Sequence, residues 1–193
     1  MKTLIVDSAT NLLYVSLVVD NDLIYESYIA SKHDHASSIL VEIKKALTKA
    51  QIEIADLDKV IVGVGPGSYT GVRMGVTVGK MIATLKPQIK IYSISTLLLM
   101  SSACQGKTIA MIDARRGNCF GCIYDSIKDE YIVEEALVEK ETLLANSYDN
   151  VVTEDAFKVD AFKVIKLAKL VVEPRTLIPN YLRATEAERN LNA

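Results

Sequence analysis

The chain has 193 residues, half of them hydrophobic, enough to bury one good core or two small packed lobes, and this excludes a disordered polymer. With 22 basic and 24 acidic residues the net charge is -2, so no basic excess draws the whole surface to a phosphate backbone. No apolar run approaches the roughly 18 residues a membrane span needs, and residues 1–7 have neither a long apolar stretch nor a small-residue cleavage site, so a cytoplasmic protein is expected.

In chain order, strands are expected at residues 3–7, 12–19 and 23–30, joined by the turns at 8–11 and Asp20-Asn21-Asp22. A helix over about 34–50 follows, with Ile39, Ile43, Ala46, Leu47 and Ala50 at helical spacing. A buried strand at 60–64 then leads into Gly65-Pro66-Gly67-Ser68-Tyr69-Thr70-Gly71-Val72-Arg73 and a second helix, which Pro87 ends near Leu85. A short strand at 89–93 closes the order βββαβα.

Lys2-Thr3-Leu4-Ile5-Val6-Asp7 is echoed by Lys107-Thr108-Ile109-Ala110-Met111-Ile112-Asp113, each followed by a small-residue turn and a strand ending in Asp20 or Asp125. Repetition at about half the chain length predicts two related lobes, residues 1–100 and 101–193. The second offers strands at 118–124 and 131–138, a short helix near Glu141, a strand near Val151 and an amphipathic helix over 155–170. On that helix lysines 158, 163, 166 and 169 oppose Phe157, Ala161, Val164 and Ile165, a solvated face. No Gly/Ser linker intervenes, so 101–106 is a tight hinge or a fused interface.

The glycine segment carries most of the signal. Ser68 can cap the second helix, whose unpaired N–H groups could hold an anion. The spacing nevertheless fits neither a Walker loop nor a dinucleotide fingerprint, because Thr70 stands where the latter needs Gly or Ala. Gly-x-Ser-x-Gly fails at the same residue, so Ser68 reads as a cap rather than a nucleophile. Gly67, Gly71, Gly75, Gly79 and Ala83 recur every four residues as a bare stripe along the helix. Glycines cost a helix about 1 kcal/mol each relative to alanine, so close packing against a helix, a sheet or a second protein must offset them. Tyr69 and Arg73 are of types enriched at interfaces.

Other candidates are thinner. Asp7 and Asp113 end strands, where ribonuclease-like folds place metal-binding carboxylates, but only Glu42 could join them. His33 and His35 make at most an incomplete zinc site. Cys119 and Cys122 form a CxxC in a strand, where a spacing of three puts them on opposite faces, so reduced buried cysteines are expected. Arg115-Arg116 is a small positive patch.

Six runs carry a family resemblance. They are Val6-Asp7-Ser8-Ala9-Thr10, Lys32-His33-Asp34-His35, the glycine segment, Ile94-Ser95-Thr96-Leu97, Ile112-Asp113-Ala114-Arg115-Arg116-Gly117 and Pro179-Asn180-Tyr181-Leu182-Arg183. In this order the chain resembles the bacterial tRNA threonylcarbamoyladenosine biosynthesis proteins of the TsaB (YeaZ) family. The resemblance implies an α/β, actin-like and Hsp70-like ATPase fold, ribonuclease H-like, with duplicated βββαβα lobes, the second truncated. It implies a non-catalytic partner of the paralogue TsaD, working with the ATPase TsaE. That complex transfers a threonylcarbamoyl group from threonylcarbamoyl-AMP to N6 of the tRNA adenosine just 3′ of the anticodon. ATP and metal are then expected in the partner subunits, with none bound tightly by this chain. Carried over, His35, Ser68, Tyr69, Thr70, Gly71, Arg73 and Gly75 become interface residues, with Gly79 next along the stripe, and Asp7, Asp113 and Arg115 become nucleotide-proximal. The family's usual Glu-Val-Tyr is Asn118-Cys119-Phe120 here, and Tyr69 replaces a common Phe. TsaD's paired metal histidines, four apart on a helix, have no counterpart. The exposed helix makes a homodimer possible when the chain is alone. A nucleotide-dependent enzyme and a metallopeptidase are the alternatives.

Overall fold

The computed structural model describes residues 1–30 and 35–182, and only the backbone of 35–37. His33, the side chain of His35 and Arg183 therefore lie outside the described residues.

Strand β1 (Lys2–Asp7) is buried along nearly its whole length, as befits a central strand flanked on both sides. It pairs antiparallel with β2 (Leu12–Val19), which pairs antiparallel with the edge strand β3 (Asp22–Ala30). Helix α1 (His35–Ala50) leads to β4 (Lys59–Gly63), parallel to β1. Helix α2 (Tyr69–Leu85) leads to β5 (Lys90–Ile94), parallel to β4. Helix α3 (Thr96–Ser101) follows, which periodicity does not predict. Leu97, Leu99 and Met100 are fully buried, and six residues are too few to display a helical stripe.

The second half repeats the plan. Strands β6 (Lys107–Arg115), β7 (Asn118–Asp125) and β8 (Glu130–Glu139) form an antiparallel meander. Helix α4 (Lys140–Leu144) leads to β9 (Asn150–Thr153), which pairs parallel with β6. Sheet order is β8-β7-β6-β9, matching β3-β2-β1-β4 of the first sheet. The fold is thus an actin-like α/β architecture with duplicated lobes, the second cut short.

Truncation has a specific form. Helix α5 spans only Ala161–Leu167, shorter than the expected 155–170. Ala156 folds back to bridge Thr153, and the Asp160 carboxylate accepts from the N–H groups of Phe162 and Lys163, fixing the helix start there. Ala168 is already extended, so Lys158 and Lys169 fall outside the helix. The chain then forms β10 (Lys169–Leu170), which pairs with β5 and extends the first sheet instead of the second.

One core lies between the first sheet and α1 and α2. A second joins the halves, drawing Ile5, Tyr14 and Ile61 from the first sheet, Leu97 and Met100 from α3, Cys122 and Ile112 from the second sheet and Val164 from α5. The junction near residues 101–106 is therefore a fused interface. It is reinforced by Val159 N–H donating to Tyr28 Oη at 2.9 Å and Asp160 N–H to Ser102 Oγ at 2.9 Å. Cys119 packs in a third cluster with Ile109 and Leu143, on the face opposite Cys122, and both thiols are free.

The glycine stripe is filled from inside the lobe. A Cβ on Gly67 would stand 2.2 Å from Ala9 O, on Gly71 2.0 Å from Ser8 O, and on Gly79 2.4 Å from Val62 Cγ1. Gly75 faces Ser8 Oγ, and that hydroxyl donates to Gly71 O at 2.7 Å. The expectation that Gly71, Gly75 and Gly79 line a partner interface is corrected: they face the chain's own β1–β2 turn and sheet.

Gly71→Ala should destabilise the protein by about 3 kcal/mol, because the obstructing atom is a backbone carbonyl that cannot swing aside. Gly117 has φ +78 with nothing within 4 Å, and Asn tolerates that conformation. Gly117→Asn should therefore cost about 1 kcal/mol or less. Urea unfolding of the two variants checks the contrast, and equal losses would overturn the packing account.

Candidate partner-docking face

The Gly65 loop begins where β4 runs out beside β1. Three of its donors are committed within the lobe. Gly65 N–H donates to Thr96 Oγ1 at 3.1 Å, Ser68 N–H to Ala9 O at 2.7 Å, and Gly71 N–H to the capping Ser68 Oγ at 3.3 Å. A phosphate arriving here would have to break these bonds.

Asp7 lies beneath the loop at 1% exposure. Its Oδ2 accepts from the Thr96 hydroxyl at 2.6 Å and its Oδ1 from Ala9 N–H at 2.8 Å. Position 63 must be glycine, since a Cβ there would sit 1.6 Å from Asp7 Oδ2. Asp7 thus ties β1, β4 and the start of α3 together, enclosed rather than open to a ligand. Asp113 is exposed, accepting from Arg115 N–H at 3.2 Å. Arg115, Arg116 and Gly117 are successive left-handed residues closing the β6–β7 turn. Glu42 is no metal-site partner to either aspartate: it is 3% exposed and taken up by the Tyr25 hydroxyl and Lys45. Among the described residues no three His, Cys, Asp or Glu side chains converge.

The tail returns to this loop. Asn180 N–H donates to Val64 O at 2.7 Å, and Asn180 O would lie 3.3 Å from a Cβ on Gly65, whose φ is +88. Lys80 Nζ holds the tail through Arg175 O at 2.8 Å and Leu177 O at 3.1 Å, and Leu177 is buried. The ring of Tyr181 stacks on Tyr69 with centroids 5.2 Å apart.

With its glycines turned inward, α2 presents its large residues outward. Tyr69, Thr70, Arg73, Met74, Thr77 and Met81 join Ile39 and Leu40 of α1 around an open groove of about 430 Å³. Leu40 is 54% exposed, Tyr69 48% and Met81 45%, an unusual grouping of apolar surface on one face. Arg73 donates from Nη1 to Tyr69 Oη at 2.8 Å and lies over the ring, its Cζ 5.1 Å from the centroid.

Of the residues named from sequence, the fold brings Tyr69, Thr70 and Arg73 together on this groove and uses Ser68 as the cap. It turns the glycines inward, buries Asp7 below and leaves Asp113 and Arg115 on the second lobe. Sequence reasoning missed Leu40, Met74, Met81 and Tyr181. Met74 and Met81 were detectable as large residues of α2 away from its glycines, whereas Leu40 of α1 and Tyr181 of the tail reach the groove only through the tertiary fold.

The architecture is an actin-like pair of fused lobes with an open apolar helix face beside the glycine loop. The chain belongs to the family described as TsaD, tRNA N6-adenosine threonylcarbamoyltransferase, whose sequence profile matches residues 27–190. It is 28% identical over 148 residues to the tRNA threonylcarbamoyladenosine biosynthesis protein TsaB of Bacillus subtilis, covering 76% of this chain and 64% of that one. To the protein of the same name from Escherichia coli it is 30% identical over 129 residues, covering 64% and 55%. The match thus spans less than two thirds of these relatives' length. The solved structure of YeaZ from Pseudomonas aeruginosa superposes with a TM-score of 0.78 at 19% identity, over 94% of this chain and 99% of that one, which shows the shared fold.

The two buried acids of the first lobe have opposite pH signatures. Burial raises the Asp7 carboxyl above the usual 3.8, against hydrogen bonds from Thr96 and Ala9 that lower it. Its contribution to stability is therefore complete below the unfolded value and lost as pH climbs through the folded one. For Glu42, desolvation raises the value, but hydrogen bonds from Lys45 and Tyr25 help bring it below the usual 4.5. Its contribution is present above the unfolded value and lost as pH falls. Relative to wild type, Asp7→Asn should gain stability as pH rises from roughly 3 to 7 and Glu42→Gln should lose it. Denaturant unfolding across that range checks the signs, and parallel pH profiles would refute them.

Proposed function

We propose that this chain is a partner subunit in bacterial tRNA threonylcarbamoyladenosine biosynthesis, acting in the cytoplasm. It docks a TsaD-type transferase on the α1–α2 groove and activates it together with the ATPase TsaE, without itself performing the transfer. The observation that carries this reading is the contrast within one helix. The Gly65, Ser68 and Gly71 N–H groups at the N-terminal loop of α2 are taken by hydrogen bonds within the lobe, while the opposite face of the same helix is apolar and open. Membership of the transferase family and the names of the two bacterial relatives support the pathway. ATP and metal are then held by the partner subunits, and tRNA is engaged through the complex.

Met74→Asp and Met81→Asp place a charge in the groove without entering the first-lobe core. Each should weaken retention of the host's TsaD-family paralogue at least about tenfold, the cost of an unpaired charge at an apolar contact. The tRNA modification should fall in parallel in cells carrying these variants. Unimpaired retention and modification would overturn the placement. Saturable micromolar ATP binding by the isolated chain in calorimetry would overturn the division of labour.

A further inference from the structure

A second cavity, of about 500 Å³, lies between the lobes and shares no residue with the α1–α2 groove. Its first-lobe wall comes from β5 and the start of α3, its second-lobe wall from β7 and β8, and the tail borders it at Asn180 and Leu182. A space of this size at a boundary between lobes accommodates a small molecule.

The walls carry charge of opposite sign. Lys169 of β10 pairs across the antiparallel ladder with Ser93 of β5, so an ammonium and a hydroxyl stand side by side, and both line the cavity. On the second-lobe wall stand Glu134 and Glu135, which are adjacent in β8. A regular strand would send them to opposite faces. Here Gly121 is level with Ala136 and Ile123 with Val133, so Glu134 and Glu135 together face the single Cys122 of β7. That β-bulge re-aims side chains, and both glutamates line the cavity.

The surroundings are fixed and the charges are left free. Tyr131 Oη donates to one Glu135 carboxylate oxygen at 2.7 Å and Asn180 Nδ2 to the other at 3.4 Å, while Asn180 N–H is bound to Val64 O. The Tyr124 hydroxyl donates to Asp129. Among the described residues Glu134, Lys169 and the Ser93 hydroxyl have no such partner, and Glu134 and Lys169 do not pair with each other. Two opposite charges that line one cavity without meeting are joined by a molecule that carries both.

We propose that this cavity binds a small zwitterion, a free amino acid or related amino carboxylate, with its ammonium on Glu134 and Glu135 and its carboxylate on Lys169 and Ser93. The site is independent of the docking role proposed above. A diamine would set a second cation against Lys169, and a dicarboxylate a second anion against the glutamates. A nucleotide phosphate would meet one cation, Lys169, among three acids, Asp129, Glu134 and Glu135.

Calorimetry on the full chain tests this with glycine, β-alanine and γ-aminobutyrate, which differ in charge spacing, against putrescine as the cation and succinate as the anion. At least one zwitterion should saturate the site below about 10 mM, with putrescine and succinate at least about tenfold weaker. Glu134→Gln and Lys169→Met, both at exposed positions, should each weaken that zwitterion at least about tenfold with the thermal midpoint unchanged. Titration of the wild type should move the amide resonances of Ser93, Glu134, Glu135 and Lys169 most, an arm that needs no variant to fold. The proposal is overturned if no zwitterion saturates in that range, if putrescine or succinate binds as well as the best zwitterion, if binding survives both substitutions, or if the resonance changes centre elsewhere.

Discussion

The contact on which the rest of the first lobe depends is backbone against backbone. The Ser8 carbonyl sits where a Cβ of residue 71 would otherwise be, and the Ser8 hydroxyl donates to the Gly71 carbonyl at 2.7 Å. Such an approach is open only to glycine; Gly67, just before α2, meets the Ala9 carbonyl in the same way, and within the helix Gly75 and Gly79 pack on the Ser8 and Val62 side chains. By accepting the intrinsic helical cost of those glycines, the lobe fixes both the depth and the rotation of α2. Depth closes the loop, because Ser68 N–H reaches Ala9 O only when the turn is this near. Rotation decides what the outside sees: with the small residues inward, Tyr69, Arg73, Met74 and Met81 have nowhere to go but out.

The same economy of space governs Asp7. A carboxylate at the end of β1 suggests metal or nucleotide chemistry, and in this position it is hydrogen bonded by Thr96 and Ala9 under a glycine that leaves room for nothing else. Burial with full hydrogen bonding is the usual condition for keeping a polar group inside a protein. Asp7 therefore acts as a tie between strands and the first turn of α3, and it supports the loop from below.

The two halves are similar in plan and unequal in use. Strand β9 has one neighbour where β4 has two, because the chain beyond α5 leaves its own sheet for the edge of the other. That departure carries the tail across α2, where Leu177 enters the first core, Asn180 meets the loop and Tyr181 stacks on Tyr69. The chain beyond the second sheet thus reaches the rim of the α1–α2 groove. The shared core of Tyr14, Leu97, Met100 and Val164 leaves little freedom for the lobes to move apart.

Much was legible in the residues alone. Alternation and helical spacing located the strands of both meanders and the first two helices, and the echo of residues 2–7 at 107–113 revealed the duplication. The opposition of Cys119 and Cys122 followed from the two-residue period of a strand. These features are local, so each can be read from a short window. The late helix starts later than its amphipathic pattern suggests because a fold-back at Ala156 and the capping Asp160 outweigh a pattern that begins before both. Helix α3 was invisible because its six residues are too few to display a helical period. By itself the sequence determined that α2 carries a bare stripe and a bulky stripe on opposite sides. Only the tertiary structure decided which of them faces the lobe, because that choice rests on a carbonyl sixty-three positions away along the chain, brought within contact by sheet pairing that no local pattern encodes.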